Sequence, residues 1–216
     1  MSHISSTKFK KGFTLIELVV SIGIMGVILT TVLTSQSNYT SGSALRQIAD
    51  DISLSLRQAQ VYGISVSQLS GTFDSGYGIE FRMPNAGGDN SSYVLFADGK
   101  SPGVQNWVND SSWSTCDGEC LQKTTLTRNN VIKELCYIPL VGHEQDGTPS
   151  YPCTIGHAYI TFLRPATEAH ISLYDNSGSQ ISINEIKGVR IRLMSPDGGL
   201  KSVVVYTTGQ ISVQDA

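Results

Sequence analysis

The chain has 216 residues, of which 40% are hydrophobic and 15% charged, a composition that suits one folded domain with a smaller appendage and excludes two large domains. Its net charge of -3 hides an asymmetry, because the N-terminal dozen carry the lysines Lys8, Lys10 and Lys11 and no acid. The rest of the chain is therefore acidic. An acidic domain repels phosphate backbones and disfavours nucleic acid as a partner.

The first predicted element is an apolar helix over residues 13–33, whose only ionisable residue is Glu17. It is long enough for about 30 Å of helix, the thickness of the hydrocarbon core of a bilayer. The lysines precede it, and no charged residue follows it before Arg46. The positive-inside rule then predicts a cytoplasmic N-terminus and an external C-terminus. We expect a single-pass protein of the cytoplasmic (inner) membrane whose C-terminal domain is exported.

The junction between the lysines and the helix is marked by Gly12. A secretory signal is cut beyond its apolar region, whereas a cut between Gly12 and Phe13 would remove the lysines and keep the helix. The segment KGFTLIELVV, residues 11–20, resembles the class III signal of type IV prepilins and type II secretion pseudopilins. The resemblance implies that a prepilin peptidase removes the basic leader 1–12, that Phe13 is N-methylated, and that the helix assembles into an extracytoplasmic filament.

Glu17 is the residue to which we assign a role in assembly. A carboxylate in a lipid-facing helix is unfavourable by about 2.5 to 3.5 kcal/mol and usually has a functional partner. The resemblance implies that this partner is the freed N-terminal amine of a neighbouring subunit, whose charge Glu17 neutralises. The alternative is a carboxylate that only reaches back to the membrane interface.

A second helical pattern follows the apolar segment. Its apolar residues recur at helical spacing on one face, namely Leu45, Ile48, Ile52, Leu56 and Ala59. If it continues the membrane helix, as in pilins, residues 13–63 form one helix about 75 Å long. The sequence thus predicts a helix with a transmembrane half and an amphipathic half.

Beyond Gly63 the chain reads as short strands separated by turn residues. The predicted strands are 64–69, 77–82, 93–98, 158–163, 169–174, 186–193, 200–206 and 210–213. The segments DNSGS from Asp175 and PDGG from Pro196 are typical of hairpin turns. We therefore expect an α+β, pilin-like fold in which the long N-terminal helix packs on an antiparallel β-sheet domain, residues 64–216.

Three further segments resemble the H-type minor pseudopilins and the FimT-like minor pilins. They are SLSLRQAQVYGISVSQ (53–68), GYGIEF (76–81) and TTGQIS (207–212). This resemblance implies a minor subunit of a type IV pilus or a type II secretion pseudopilus. A major structural pilin, a filament-tip module for adhesion or DNA uptake, and an anchored domain that never polymerises are the alternatives. The implied partners are prepilin peptidase, other pilin or pseudopilin subunits and the inner-membrane assembly platform.

An insert at about 99–156 contains all four cysteines, Cys116, Cys120, Cys136 and Cys153. Exported thiols oxidise, so we expect two disulfides. Three pairings are open, of which Cys116 with Cys120 and Cys136 with Cys153 is the simplest. A zinc centre that includes His157 is the alternative, because Cys-x3-Cys and Cys-x3-His are workable ligand spacings.

No cofactor, metal or enzymatic activity is predicted. Asp175 begins a segment similar to a calcium loop, but Gln180 and Ile186 stand where that loop needs glycine and a carboxylate. The chain has none of the common nucleophile or phosphate-binding motifs. Its histidines after the leader are scattered, and we interpret them as surface or packed polar residues, namely His143, His157 and His170.

The remaining candidate functional residues are two tryptophans and three basic residues. Trp107 and Trp113 are interpreted as packing the insert onto the sheet, with a glycan-contacting surface as the alternative. Arg190, Arg192 and Lys201 could share one face of the sheet, but three positive charges in an acidic domain are a weak signal for DNA binding.

Overall fold

The computed structural model describes residues 12–65, 75–99, 108–109, 112–140, 144–145, 148–149, 152–182 and 186–215, with only the backbone at 34–41, 144–145 and 148–149. The chain divides into two compact units, residues 1–40 and 41–216. Helix α1, Leu15–Ile64, supplies the described α-helical part of both, and the second unit also contains a short 3-10 helix, Pro84–Ala86. It includes the apolar and the amphipathic segments that the sequence predicts.

The second unit is built from antiparallel strands. The strands are β1 (Gly76–Arg82), β2 (Ser92–Asp98), β3 (Cys120–Thr125), β4 (Val131–Pro139), β5 (Glu144–Gln145), β6 (Thr148–Pro149), β7 (Ile155–Phe162), β8 (Ala169–Asp175), β9 (Ile186–Met194), β10 (Leu200–Tyr206) and β11 (Ile211–Asp215). They form a five-stranded sheet in the order β3-β2-β1-β7-β8, a four-stranded sheet in the order β11-β10-β9-β4, and a two-stranded ribbon of β5 and β6. The predicted α+β, pilin-like fold is confirmed.

The main core of this unit lies between α1 and the inner faces of both large sheets. The helix contributes its predicted apolar stripe, within which Ile52 and Leu56 are fully buried. The strands contribute residues such as Val203 and Val205 of β10, while Val204 between them is equally buried but lies outside this cluster. Burial of this apolar face holds the helix against the sheets, because burying each large aliphatic side chain contributes about 1.5 to 3 kcal/mol.

Strands β3 and β4 lie in the insert, where the sequence analysis predicts no strand. Each is at the edge of its sheet. In β3 the exposed Gln122 and Thr125 break the apolar pattern, as is common where one side of a strand has no neighbour. The predicted strand 64–69 begins with the last residue of α1, and residues 66–69 lie outside the described part.

The two predicted hairpin turns have the expected backbone. Gly178 and Gly198 both adopt a left-handed φ, of +83° and +82°. In the first turn the carboxylate of Asp175 accepts backbone N–H groups of Ser177 and Ser179 at 2.8 and 2.9 Å. This side chain therefore closes a turn, as proposed from the sequence.

Candidate functional site

Helix α1 begins at Leu15, two residues after Phe13, where the expected processed chain would start. The side chain of Thr14 caps it, since Thr14 Oγ1 accepts the backbone N–H of Glu17 at 3.3 Å. The sequence analysis missed this cap, although a threonine three residues before a glutamate is a known signature of a helix start. Glu17 is thereby fixed in the first turn of the helix.

Residues 13–33, which include the first part of α1, present an apolar and uncovered surface. Each side chain there is exposed within the described chain, with Phe13 at 83%. The segment Leu15–Leu33 is long and apolar enough to cross a membrane. So much exposed apolar area requires lipid or other protein to cover it. The helix therefore fits a single-pass membrane anchor.

Glu17 has no partner for its carboxylate among the described residues. Only its backbone takes part in hydrogen bonds, for example with the hydroxyl of Ser21, which donates to the Glu17 carbonyl at 2.7 Å. Gly12 has open space around it and no left-handed φ, so the fold does not require glycine there. The fold therefore explains neither the glycine at position 12 nor the glutamate at position 17. Lys8, Lys10 and Lys11 lie outside the described residues.

All four cysteines form disulfides, Cys116 with Cys120 and Cys136 with Cys153. The second bond joins β4 of the four-stranded sheet to the chain just before β7 of the five-stranded sheet. Beside it, the backbone N–H of Tyr137 donates to the carbonyl of Pro152 at 3.1 Å. This disulfide therefore ties the two sheets together.

The sulfurs in these bonds cannot serve as zinc thiolates. Glu134 lies close to Cys136 and Cys153. Its carboxylate, however, forms an ion pair with Arg192. The described residues therefore do not offer the zinc centre considered from the sequence.

The first disulfide closes a turn that covers the outer face of the five-stranded sheet. Trp113, three residues before Cys116, is 7% exposed and belongs to a second cluster with Val94, Phe96, Cys120 and Tyr159. The guanidinium of Arg82 and the ammonium of Lys123 lie 5.5 and 4.8 Å from the centre of its ring. The interpretation that Trp113 packs the insert onto the sheet is confirmed, and Trp107 lies outside the described residues.

A hydrogen bond from Asn109 to a buried ion pair within β1 fixes the insert beside this cluster. Glu80 is fully buried, accepts a hydrogen bond from Arg82 Nε at 2.7 Å and accepts another from Asn109 Nδ2 at 2.7 Å. Burial raises the pKa of Glu80, and the charge of Arg82 acts in the opposite direction. Removing one partner would leave a buried charge unpaired, so this arrangement holds residue 109 to β1.

The histidines behave as packed polar side chains. His157 Nε2 lies 2.9 Å from the carbonyl oxygen of Ala86, and Nδ1 lies 3.3 Å from the hydroxyl of Tyr159. Burial and the nearby Arg82 lower the pKa of His157, and burial lowers that of His170. His143 lies outside the described residues.

The three basic residues of the C-terminal sheet do not share a face. Arg190 and Arg192 lie opposite Val204 and Ser202 of β10, whereas Lys201 lies opposite Leu193, whose side chain belongs to the inner core. Since paired residues in antiparallel strands point to the same side, Lys201 is on the other face, and the predicted common face is wrong. Lys201 pairs with Asp215, as Arg192 does with Glu134. Ion pairing reduces the positive charge available for a phosphate backbone.

Comparison with known proteins identifies the N-terminal segment. Residues 7–33 match the family described as the prokaryotic N-terminal methylation motif. No curated protein and no solved structure matches the chain. The motif covers the junction, the helix start and the apolar surface described above. It implies processing by prepilin peptidase and pilin assembly, and together with the fold it supports a type IV pilin-like protein.

Proposed function

We propose that this chain is a structural subunit of an extracytoplasmic filament, either a type IV pilus or a type II secretion pseudopilus. The observation that carries the proposal is the uncovered apolar segment 13–33, which lies within the methylation motif and whose one carboxylate has no partner among the residues that the structure describes. A lipid-exposed carboxylate is unfavourable, and a filament offers it a cationic partner. The subunit acts by assembly and not by catalysis.

In this proposal prepilin peptidase cuts between Gly12 and Phe13, and the new terminus is N-methylated. Removal of Lys8, Lys10 and Lys11 takes away charges that would oppose extraction of the helix from the cytoplasmic side. The new N-terminal amine of one subunit then pairs with Glu17 of its neighbour. The strand domain stays outside the membrane, where oxidising conditions favour both disulfides.

We further propose a minor subunit, on the resemblance of the segments 53–68, 76–81 and 207–212 to minor pilins and pseudopilins. The alternative is a major structural pilin. Quantitative mass spectrometry of isolated filaments separates the two, because a minor subunit is expected at a few copies per filament and a major one as the bulk protein. A tip-binding module has less support, since Trp113 is buried instead of presented on the surface.

The processing step is tested by intact mass spectrometry of the protein from its native membrane. The expected chain starts at Phe13 and carries one added methyl group. Gly12→Val is expected to block processing, while Gly26→Val, which also meets open space, leaves it unchanged. A wild-type chain that retains residues 1–12 would contradict the proposal.

The assembly step is tested with Glu17→Gln, which removes the charge and keeps the shape. We expect this variant to be processed and folded but absent from filaments. Ser21→Ala, one turn further along the helix, is the matched control and should assemble. Normal filament incorporation of Glu17→Gln would leave the chain as a membrane-anchored domain without a filament role.

A further inference from the structure

Four polar side chains surround a cleft at one end of the four-stranded sheet. Lys187, at the start of β9, and Tyr206, at the end of β10, form two of its walls, and the turn between β10 and β11 contributes Thr208 and Gln210. The cleft has a volume of about 290 Å³, which is at the lower end of the range for small-molecule sites. Its size therefore suits one small ligand or the end of a longer one.

The backbone around this cleft is fixed by hydrogen bonds. The carbonyl oxygen of Lys187 accepts the backbone N–H of Thr207 at 3.0 Å and the hydroxyl of Thr207 at 3.3 Å. In the turn, the N–H of Gly209 donates to the carbonyl of Tyr206 at 2.9 Å, and the N–H of Tyr206 donates to the carbonyl of Gln210 at 2.9 Å. The walls are thus in place before a ligand arrives, which lowers the entropy cost of binding.

Gly188 makes room for the ring of Tyr206. The two residues lie opposite each other in β9 and β10. A Cβ atom added at Gly188 would lie 2.5 Å from the carbonyl oxygen of Val205 and 3.3 Å from Cδ1 of Tyr206. Glycine inside a strand weakens the strand, and it often marks a place where another group approaches the backbone closely. Here the glycine lets the aromatic ring lie against β9 beside the cleft.

The polar groups of the cleft are not used by the fold. Lys187, Thr208 and Gln210 are exposed, and their side chains form no hydrogen bond or ion pair with the residues that the structure describes. Nζ of Lys187 lies 6.0 Å from the centre of the Tyr206 ring. By contrast, Lys201 of the same sheet is paired with a carboxylate. The cleft therefore offers a cation, an aromatic ring, an amide and a hydroxyl to a ligand.

We propose that this cleft binds an acidic sugar of the hexuronic acid class. The C–H face of the sugar packs on the aromatic ring, the side chains of Thr208 and Gln210 bind its hydroxyl groups, and the ammonium of Lys187 pairs with its carboxylate. Trp113, which the sequence analysis considered for a glycan contact, is buried and does not serve this role. The inference goes beyond the proposed filament function and does not depend on it.

Single-stranded nucleic acid is the competing ligand, because a base also stacks on an aromatic ring. It requires a positively charged groove that follows the phosphates. Among the described residues that line the cleft, Lys187 alone is basic, and the chain after the N-terminal lysines is acidic. One cation matches the single carboxylate of a uronic acid better than it matches a phosphate backbone.

The test measures sugar binding to the full-length chain in detergent by saturation-transfer NMR titration, so that it needs no filament assembly. The probes are the methyl glycosides of glucuronic, galacturonic and mannuronic acid, each compared with its neutral hexose counterpart. At least one uronide is expected to bind more tightly than its neutral counterpart. If no uronide binds the wild-type chain, the inference is overturned and the proposed filament function is unaffected.

Variants of the cleft assign the binding to its side chains. Lys187→Gln should weaken binding of the uronide about fivefold and remove its advantage over the neutral sugar, because the ion pair is lost. Tyr206→Leu should weaken binding of both sugars about tenfold, because the aromatic face is lost. Lys133→Gln, at an exposed position of β4, removes the same charge outside the cleft and should change neither affinity.

Three further results would overturn the inference. Equal weakening by Lys187→Gln and Lys133→Gln would indicate non-specific attraction by positive charge. Binding that survives both cleft variants would place the sugar elsewhere on the chain. Tighter binding of a single-stranded thymidine oligonucleotide, lost in both cleft variants, would assign the cleft to nucleic acid. Circular dichroism shows whether each variant folds, and the exposed position of Lys187 makes Lys187→Gln the decisive variant.

Discussion

The side-chain amide of Gln60 donates hydrogen bonds to the carbonyl oxygens of Gly209 at 3.3 Å and of Thr167 at 3.1 Å. Gln60 lies near the end of α1. Thr167 lies between β7 and β8 of the five-stranded sheet, and Gly209 lies in the turn between β10 and β11 of the four-stranded sheet. One glutamine therefore ties the end of the helix to loops from both sheets.

Replacing this glutamine should loosen the attachment of the helix. Gln60→Ala leaves two carbonyl groups without their donor, and we expect the free energy of unfolding to fall by about 1 to 2 kcal/mol. Gln47→Ala, an exposed glutamine on the same helix, should change it by less than about 0.5 kcal/mol. Urea unfolding of the full chain in detergent measures both. Equal effects would mean that the Gln60 hydrogen bonds contribute nothing specific.

Gly209 allows the turn to approach the loop at Thr167. It has a left-handed φ of +83°, and an added Cβ would collide with the Thr167 carbonyl oxygen. Gly178 has the same φ of +83° but nothing within 4 Å of its added Cβ. Gly178→Ala should therefore lower the free energy of unfolding by about 1 kcal/mol, because only the strain of the left-handed backbone contributes. Gly209→Ala should lower it by more than about 3 kcal/mol, and similar losses in thermal unfolding would exclude the steric contribution.

The sequence analysis did not predict this contact. Gln60 and Gly209 lie in two of the three segments that resemble minor pilins, but 149 residues separate them. Helical periodicity predicted the buried face of α1, and turn residues predicted β9 and β10 with their hairpin, because these signals are local. Contact between distant segments depends on strand order, which no local pattern contains.

The unknown register of the strands was the second limit on what could be predicted from the sequence. Lys201 was grouped with Arg190 and Arg192 because all three are basic and close in sequence. A shift of one residue in a strand pairing moves a side chain to the opposite face, so a face cannot be assigned before the register is known. The apolar helix and its single glutamate could be predicted, because the length and composition of a segment are read from the sequence without tertiary information.

The disulfide between Cys136 and Cys153 should contribute more stability than the one between Cys116 and Cys120. It closes a longer loop, with a sequence separation of 17 against 4. Chain entropy predicts about 3 kcal/mol for the longer loop and about 2 kcal/mol for the shorter one. We expect Cys136→Ala with Cys153→Ala to be the more destabilising double variant by urea unfolding.

The disulfide between Cys116 and Cys120, which closes the shorter loop, should mainly affect the structure around it. Cys116→Ala with Cys120→Ala is expected to expose Trp113 and shift its fluorescence to longer wavelength, while the circular dichroism of the sheets is retained. A larger loss of stability in this variant than in the Cys136 and Cys153 variant would contradict the assigned roles.

His157 should make folding stability depend on pH. Its pKa in the folded protein lies below the ordinary value of 6.5, mainly because of burial and also because of Arg82. The unfolded chain therefore binds the proton more readily, and the contribution of neutral His157 to stability, present above pH 6.5, is lost as the pH falls through the lowered folded pKa. His157→Gln removes this titration and keeps a donor for the Ala86 carbonyl, while His170 titrates in both proteins. Urea unfolding measured at a series of decreasing pH values should show that the free energy of unfolding falls more steeply in the wild type than in His157→Gln. If the two proteins give parallel curves of unfolding free energy against pH, His157 is not the group that titrates.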